Sequence, residues 1–155
     1  MSNLFFEQPR HFFMIDKLTP EKRSWNMSRI KGRDTAAELA VRKMLHAAGY
    51  RFRLHRKDLP GRPDIVLPKY KAVIFVHGCF WHSHGCKDSG IPKTNTGFWA
   101  NKLEDNARRD IKNQALLKQQ GWNVQVIWEC EIHDTEALVR SIGIKLNKYC
   151  KSAPN

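Results

Sequence analysis

Three histidines and two cysteines lie within the stretch VHGCFWHSHGC, residues 76–86. Zinc prefers four tetrahedral nitrogen and sulfur ligands, and a structural site leaves no open position. The density of cysteines and histidines, in a glycine-containing loop with few aliphatic residues, favours a metal site over ordinary buried thiols. Their spacing, however, matches no common zinc finger. The candidate ligands are Cys79, Cys86, Cys130 and one histidine, His84 or His82.

A carboxylate with possible catalytic chemistry is Asp64, which follows Pro63 in LPGRPDIVLP at the start of an apolar run. An acid there is too costly to bury unpaired, so it should face a cation or water. His77 ends the next apolar run and is expected at the same rim of the sheet. Restriction-type nucleases often place Pro-Asp at one strand and Glu-x-Lys in the next, but no Glu-x-Lys follows here. Taken alone, these residues fit an aspartate in a turn better than a catalytic aspartate.

Alternating helical and strand patterns must position these residues. A capping threonine, Thr19, begins a helix over 20–30, and a capping box of Thr35 and Glu38 begins one over 34–49. Strands are predicted at 50–56, 64–68, 71–78 and 122–130, the first half-buried and the third buried on both faces, and further helices at 96–120 and 134–150. The long helix is expected to bury a stripe of Leu103, Ala107, Ile111 and Ala115. The order predicts an α/β fold, a mixed central sheet flanked by helices.

Charge and length restrict the classes of function. The 155 residues contain 27 Lys+Arg and 15 Asp+Glu, a net charge of +12, which favours nucleic acid as the partner over a merely soluble basic protein. We expect one domain over 19–150, a flexible extension over 1–18, where Met14 could be the true start, and a tail over 151–155. No apolar run is long enough to span a membrane, and the N-terminus lacks a secretory core. We therefore expect the protein in the cytoplasm. Cys150 is not expected to be a metal ligand.

Six segments in order and at matching intervals, from Leu18 to Cys130, resemble the very-short-patch repair endonucleases: RSWNMSRI, DTAAE, LPGRPD, FVHGCFWHSHGC, NTGFWANKLEDNARRD and GWNVQVIWEC. The resemblance implies a restriction-endonuclease-like fold and a bacterial enzyme acting on double-stranded DNA. Such an enzyme nicks one strand 5′ of the T in a T:G mismatch, left when 5-methylcytosine deaminates. A cytosine-5 DNA methyltransferase and mismatch-repair proteins are the implied functional partners of a monomer.

The resemblance also implies a magnesium-dependent active site. Asp64 would be the direct Mg²⁺ ligand, with the backbone carbonyl of Val76, where the family often has threonine. His82 would be the general base. The supporting residues would be His77, in the water network, and Glu38 and Asp110, which would hold metal-bound waters. The capping box already explains Glu38, so its catalytic role has the least support.

The remaining implied residues are structural or contact DNA. Structural Zn²⁺ would be bound by Cys79, His84, Cys86 and Cys130. Aromatic side chains would insert beside the mismatch. These are Phe80, Trp81 and Trp99, with Met27 approaching from the other groove and Lys102 and Asn106 near the mismatched bases. Two other classes of protein would use some of the same residues: a zinc-stapled DNA-binding module without catalysis, and a restriction endonuclease that cuts both strands.

Overall fold

A computed structural model of the protein describes residues 19–29 and 32–152, without the side chains of residues 23, 26, 27 and 148–152. The predicted extension over 1–18 and the end of the predicted tail lie outside these residues. The side chains of Met27 and Cys150 lie outside them as well. Within the described residues, no helix combines the length and apolar character needed to cross a membrane.

The described chain contains four helices and four strands in the predicted order. The helices are α1 (Pro20–Ser28), α2 (Ala36–Ala47), α3 (Thr96–Gln119) and α4 (Thr135–Ser152). The strands are β1 (Arg53–Leu54), β2 (Ile65–Leu67), β3 (Ala72–His77) and β4 (Asn123–Trp128). Short 3₁₀ turns follow β2 and β4 at Pro68–Tyr70 and Glu129–Glu131.

The strands form one mixed sheet in the order β1-β2-β3-β4. β2 pairs antiparallel with both β1 and β3, whereas β3 and β4 are parallel and connected through α3. The start of β2 therefore lies at the same rim of the sheet as the carboxyl ends of β3 and β4. This topology brings Asp64 to the rim where His77 ends β3, as the sequence predicted.

Helices pack on both faces of the sheet, which confirms the mixed α/β prediction. On one face, Ile74 of β3 belongs to a core with Leu45 of α2 and Leu146 of α4. On the other, Val73 packs in a second core with Leu117 of α3. All six residues of β3 are buried, so this is the predicted strand covered on both sides.

The helix starts follow from local hydrogen bonding. Thr35 accepts a bond from the backbone N–H of Glu38 at 3.2 Å, and the Glu38 carboxylate accepts one from the Thr35 N–H at 3.4 Å. This is the predicted capping box. At α1, the Thr19 hydroxyl accepts a bond from the Lys22 N–H at 3.3 Å. The two predicted caps therefore begin the two N-terminal helices.

The first predicted strand and the buried stripe of α3 differ from expectation. Only Arg53 and Leu54 of residues 50–56 are extended in the sheet, and both are exposed rather than half-buried. On α3, Leu103 is buried as predicted, but Ile111 is 69% exposed. In the middle of α3, the inward face consists of polar residues that line a cleft, and the expected apolar stripe does not face the core. Apolar periodicity therefore gave the wrong face there.

Candidate active site and cysteine–histidine cluster

A cleft of about 1020 Å³ opens at the rim where β2 begins and β3 ends. The N-terminal end of α2, the loop before β2, the loop after β3 and the middle of α3 surround it. All five residues predicted to be catalytic line this one cleft, together with Val76. They are Glu38, Asp64, His77, His82 and Asp110.

Asp64 is held at the floor of the cleft by the neighbouring strand. Its Oδ2 accepts a hydrogen bond from the Val76 backbone N–H at 2.7 Å. Burial raises the pKa of this carboxyl from 3.8 to about 6, and the nearby negative charge of Glu38 adds to the rise, while the Val76 bond opposes it. An acid with a raised pKa and one oxygen not taken by Val76 can bind a cation at neutral pH, because the cation stabilises the ionised form.

The loop before β2 is fitted closely to α3. Gly61 has a left-handed φ of 73°, and a Cβ added there would lie 3.0 Å from the Asn113 side chain. Glycine therefore permits both the backbone conformation and the close approach. This contact ties the segment that carries Asp64 to the helix that carries Asp110.

A pair of stacked imidazoles forms the opposite wall of the cleft. The rings of His77 and His82 lie with centroids 3.7 Å apart and planes 8° apart. His82 Nδ1 is 2.5 Å from Asp110 Oδ2, so the carboxylate can hold the ring with its proton on Nδ1. Burial lowers the pKa of His77 to about 4, and the adjacent His82 contributes to the shift. A neutral His77 supports His82 without adding charge, and Nε2 of His82 is left with a lone pair that can accept a proton.

Glu38 is occupied by structural contacts. It is 3% exposed, and its carboxylate accepts hydrogen bonds from the backbone N–H of Asp34 at 3.0 Å and from Arg42 at 2.7 Å, besides the capping box. The carboxylate lines the cleft but is already bound by the helix start and by a guanidinium. Its capping role is thus observed.

The sequence interpretation missed several residues of the cleft. His55 lies between Asp34, Glu38 and Asp64, and Arg42 joins the first two carboxylates. Arg42 could have been found from its position four residues after Glu38 on a helix. His55 carried no such signal, because it lies in a segment that alternates like a strand. Basic side chains missed on the cleft wall are Arg33, Lys57, Arg62 and Arg109.

The cysteine–histidine cluster lies beside the cleft, at the other side of the same loop. The ligand atoms of Cys79, His84, Cys86 and Cys130 all lie within 4.8 Å of one another, so these side chains could hold a metal ion. His84 Nδ1 is 3.4 Å from Cys130 Sγ, whereas His82 is paired with Asp110. The geometry therefore separates the two histidines that the residue spacing could not.

The chemistry of this donor set fits a cation. The three cysteines are free thiols, and burial raises the pKa of Cys79 to about 12. A thiol in such surroundings ionises near neutral pH only if a cation replaces its proton. His84 stacks on Trp128 with ring centroids 4.1 Å apart, which fixes the orientation of the imidazole.

The aromatic residues form one group above α3. Phe80 lies 4.9 Å from Trp81 and 5.4 Å from Trp99 between ring centroids. Trp99 is only 9% exposed, while Phe80 and Trp81 are partly buried. Asn106 donates a hydrogen bond to the Trp81 carbonyl at 3.1 Å, so it supports the loop. Of the two other residues predicted to contact DNA, Lys102 is exposed and the Met27 side chain is outside the described part of the chain.

Comparison with known proteins identifies the family. A profile of the DNA mismatch endonuclease Vsr family matches residues 15–88. The DNA mismatch endonuclease Vsr of Escherichia coli K12 is 44% identical over 125 residues, 81% of this chain and 80% of that protein. The type II nicking enzyme V.XorIIP of Xanthomonas oryzae pv. oryzae is 51% identical over 81% of this chain and 92% of its own length. The type II nicking enzyme V.NmeAIP of Neisseria meningitidis is 49% identical over 90% of this chain and 99% of its own length. The chain belongs to the DNA mismatch endonuclease Vsr family.

Proposed function

We propose that this DNA mismatch endonuclease nicks one strand of duplex DNA on the 5′ side of the T in a T:G mismatch, in a reaction that requires Mg²⁺. The names of its relatives describe mismatch cleavage in one case and nicking in the others, and together they describe a single-strand cut directed by a mismatch. A net charge of +12 suits a DNA substrate. Such T:G pairs arise where 5-methylcytosine deaminates, which links the enzyme to a cytosine-5 methyltransferase and to mismatch-repair proteins.

The observation that carries this proposal is the convergence of Asp64 and the His82–Asp110 pair on one cleft. Asp64 and the carbonyl of Val76 offer oxygen ligands of the kind Mg²⁺ prefers. When bound there, the ion would neutralise negative charge that develops on the scissile phosphate. Asp64 itself would then supply the anchoring charge, since its second oxygen is fixed by the Val76 N–H.

His82 is the proposed general base. Asp110 holds the Nδ1 side of the ring, so Nε2 can take a proton from the attacking water. His77 keeps the ring in place by stacking and stays neutral because it is buried. Asp110 would also hold water at the metal, and Glu38 would act mainly through α2, because Arg42 and the capping box already use its carboxylate.

The proposed structural ion is Zn²⁺, bound by Cys79, His84, Cys86 and Cys130. Three thiolates and one imidazole match the preference of zinc for soft and borderline ligands, and four protein ligands close the site. The same loop carries Phe80 and Trp81, so a metal at this position would fix the proposed aromatic wedge relative to His82. Trp99 would support the wedge from below, because it is nearly buried. Lys102, Asn106 and Met27 are proposed to lie near the mismatched bases.

The proposed fold relationship is to restriction endonucleases, with a single domain over 19–150 that acts as a monomer in the bacterial cytoplasm. A restriction endonuclease that cuts both strands is the less favoured function, since the nicking relatives point to a single cut. A binding module without catalysis would need neither Asp64 nor His82.

Asp64→Ala tests the catalytic assignment. The variant should bind a T:G duplex as tightly as the wild type, because base and phosphate contacts do not depend on this carboxylate. Its single-turnover nicking should fall by at least about a hundredfold. The exposed Asp105 offers a matched control, since Asp105→Ala removes a carboxylate from α3 outside the cleft lining. Near-normal nicking by Asp64→Ala would contradict the assignment.

A further inference from the structure

The contacts of His55 indicate which of its ring nitrogens can donate a hydrogen bond toward the cleft. Its Nε2 lies 2.9 Å from Arg42 Nη2. A guanidinium nitrogen can only donate hydrogen bonds, so Nε2 must be the acceptor in this contact. Arg42 is in turn fixed by Asp34 at 2.6 Å and by Glu38 at 2.7 Å. With Nε2 accepting from Arg42, Nδ1 is the ring nitrogen that carries a hydrogen.

Asp64 is the carboxylate nearest to Nδ1 of this ring. His55 Nδ1 and Asp64 Oδ1 are 3.9 Å apart, and Oδ1 is the oxygen that does not receive the Val76 N–H bond. A gap of this size is too long for a direct hydrogen bond, but a small rotation of the Asp64 carboxyl group would bring its Oδ1 within hydrogen-bonding distance of Nδ1. His55 is thus suited to orient the oxygen of Asp64 that is free for a ligand.

The same contacts argue against a second cation at His55. Asp34, Glu38 and His55 bring three ligand atoms within 4.8 Å of one another. The guanidinium of Arg42 already pairs with both carboxylates at hydrogen-bonding distance. The cluster lies behind Asp64, and Arg42 occupies the place that a metal ion would take.

We propose that His55 is a positioning residue that orients Asp64 Oδ1 for divalent-metal binding through its Nδ1–H. Arg42, Glu38 and Asp34 fix the ring from the opposite side. The backbone of His55 adopts a left-handed φ of 45°, a costly conformation for a residue with a side chain, and the ion-pair cluster holds it there. The proposal rests on the proposed role of Asp64 as the metal ligand.

Two variants with side chains of similar size distinguish the effect of the N–H donor at position 55 from the effect of side-chain packing. His55→Gln retains a side-chain N–H donor, whereas His55→Leu fills the space without one. Binding of Mn²⁺, a spectroscopic substitute for Mg²⁺, is measured by electron paramagnetic resonance on the full-length zinc-loaded protein without DNA. Loss of a group that orients a ligand weakens metal affinity by about 10- to 100-fold. We expect His55→Leu to bind Mn²⁺ about tenfold more weakly, and His55→Gln to stay within about threefold of the wild type.

Controls distinguish this inference from the proposed function. His46→Ala changes an exposed histidine of α2 and should bind Mn²⁺ like the wild type. Asp64→Ala should abolish the binding that Mg²⁺ competes for. Equal Mn²⁺ affinity in the wild type and His55→Leu, or an equal loss in both His55 variants, would overturn the role of His55 alone. Unchanged binding by Asp64→Ala would instead overturn the proposed metal site.

Discussion

Replacing Asp64 by asparagine is expected to stabilise the metal-free protein while removing its activity. The amide oxygen of asparagine can still accept the Val76 N–H bond, so the change removes charge with little change in shape. The pKa of Asp64 rises from 3.8 to about 6 on folding, mainly through burial. The folded state therefore binds this proton more tightly than the unfolded state, and the associated stability is lost as the pH rises through about 6.

The magnitude follows from the pKa shift. One pKa unit corresponds to about 1.4 kcal/mol, so the ionised Asp64 costs up to about 3 kcal/mol above pH 7. Between pH 5 and pH 8 the protein should lose about 1.4 kcal/mol through this group, and Asp64→Asn should not. The side chain is 20% exposed, so burial dominates over solvent screening.

Urea unfolding at pH 5 and pH 8, in buffer free of Mg²⁺, measures this difference. The advantage of Asp64→Asn over the wild type should grow by about 1.4 kcal/mol between the two pH values, and added Mg²⁺ should stabilise only the wild type. Asp105→Asn serves as the control, because its side chain is 74% exposed. An advantage that is the same at both pH values would refute the reasoning that burial destabilises this carboxylate.

Three further predictions concern the cysteine–histidine cluster, the proposed general base and the N-terminus. Cys86→Ala should lose its bound metal and its mismatch binding together, because the free energy of metal binding also stabilises the folded loop. Elemental analysis and gel shift measure the two losses. Wild-type protein that contains no zinc would contradict the prediction. His82→Ala should nick at least about a hundredfold more slowly in single-turnover assays. Its rate should recover partly at higher pH, where hydroxide replaces the missing base. A loss of rate that is the same at every pH would argue against a general-base role. Removal of residues 1–13 should leave nicking within about tenfold on saturating DNA, since those residues precede the family match; a larger loss would assign them a function.

The parts of the fold that the sequence predicted are those set by local hydrogen bonding or by continuous burial. The Thr35–Glu38 capping box and the unbroken apolar run of β3 each specify one structure, and both were confirmed. The face of α3 could not be predicted from apolar spacing. Its middle lines a polar cleft, so Asp110 faces inward and Ile111 faces solvent.

The residues of the site were predictable only where a motif carried them. The apolar runs placed Asp64 and His77 at one rim. The resemblance supplied their implied roles, and the structure brings them to one cleft with the other implied residues, His82, Glu38 and Asp110. His55 could not be recognised, because its contacts come from residues at the start of α2 and just before β2, and no helical or strand spacing in the sequence relates them to it. The choice of His84 over His82 in the cysteine cluster likewise depends on the fold, since Asp110 pairs with His82 across the cleft.

Mapping the cut on a labelled mismatch is the sharpest test of mismatch-directed nicking by this enzyme. A duplex with one T:G pair carries a different fluorescent label on each strand, and a fully paired duplex of the same sequence is the control. With Mg²⁺ present and enzyme in excess, we expect one nick, in the T strand on the 5′ side of the T, and none in the control. Cleavage of both strands, equal cleavage of the paired duplex, or a mobility shift without any nick would contradict it.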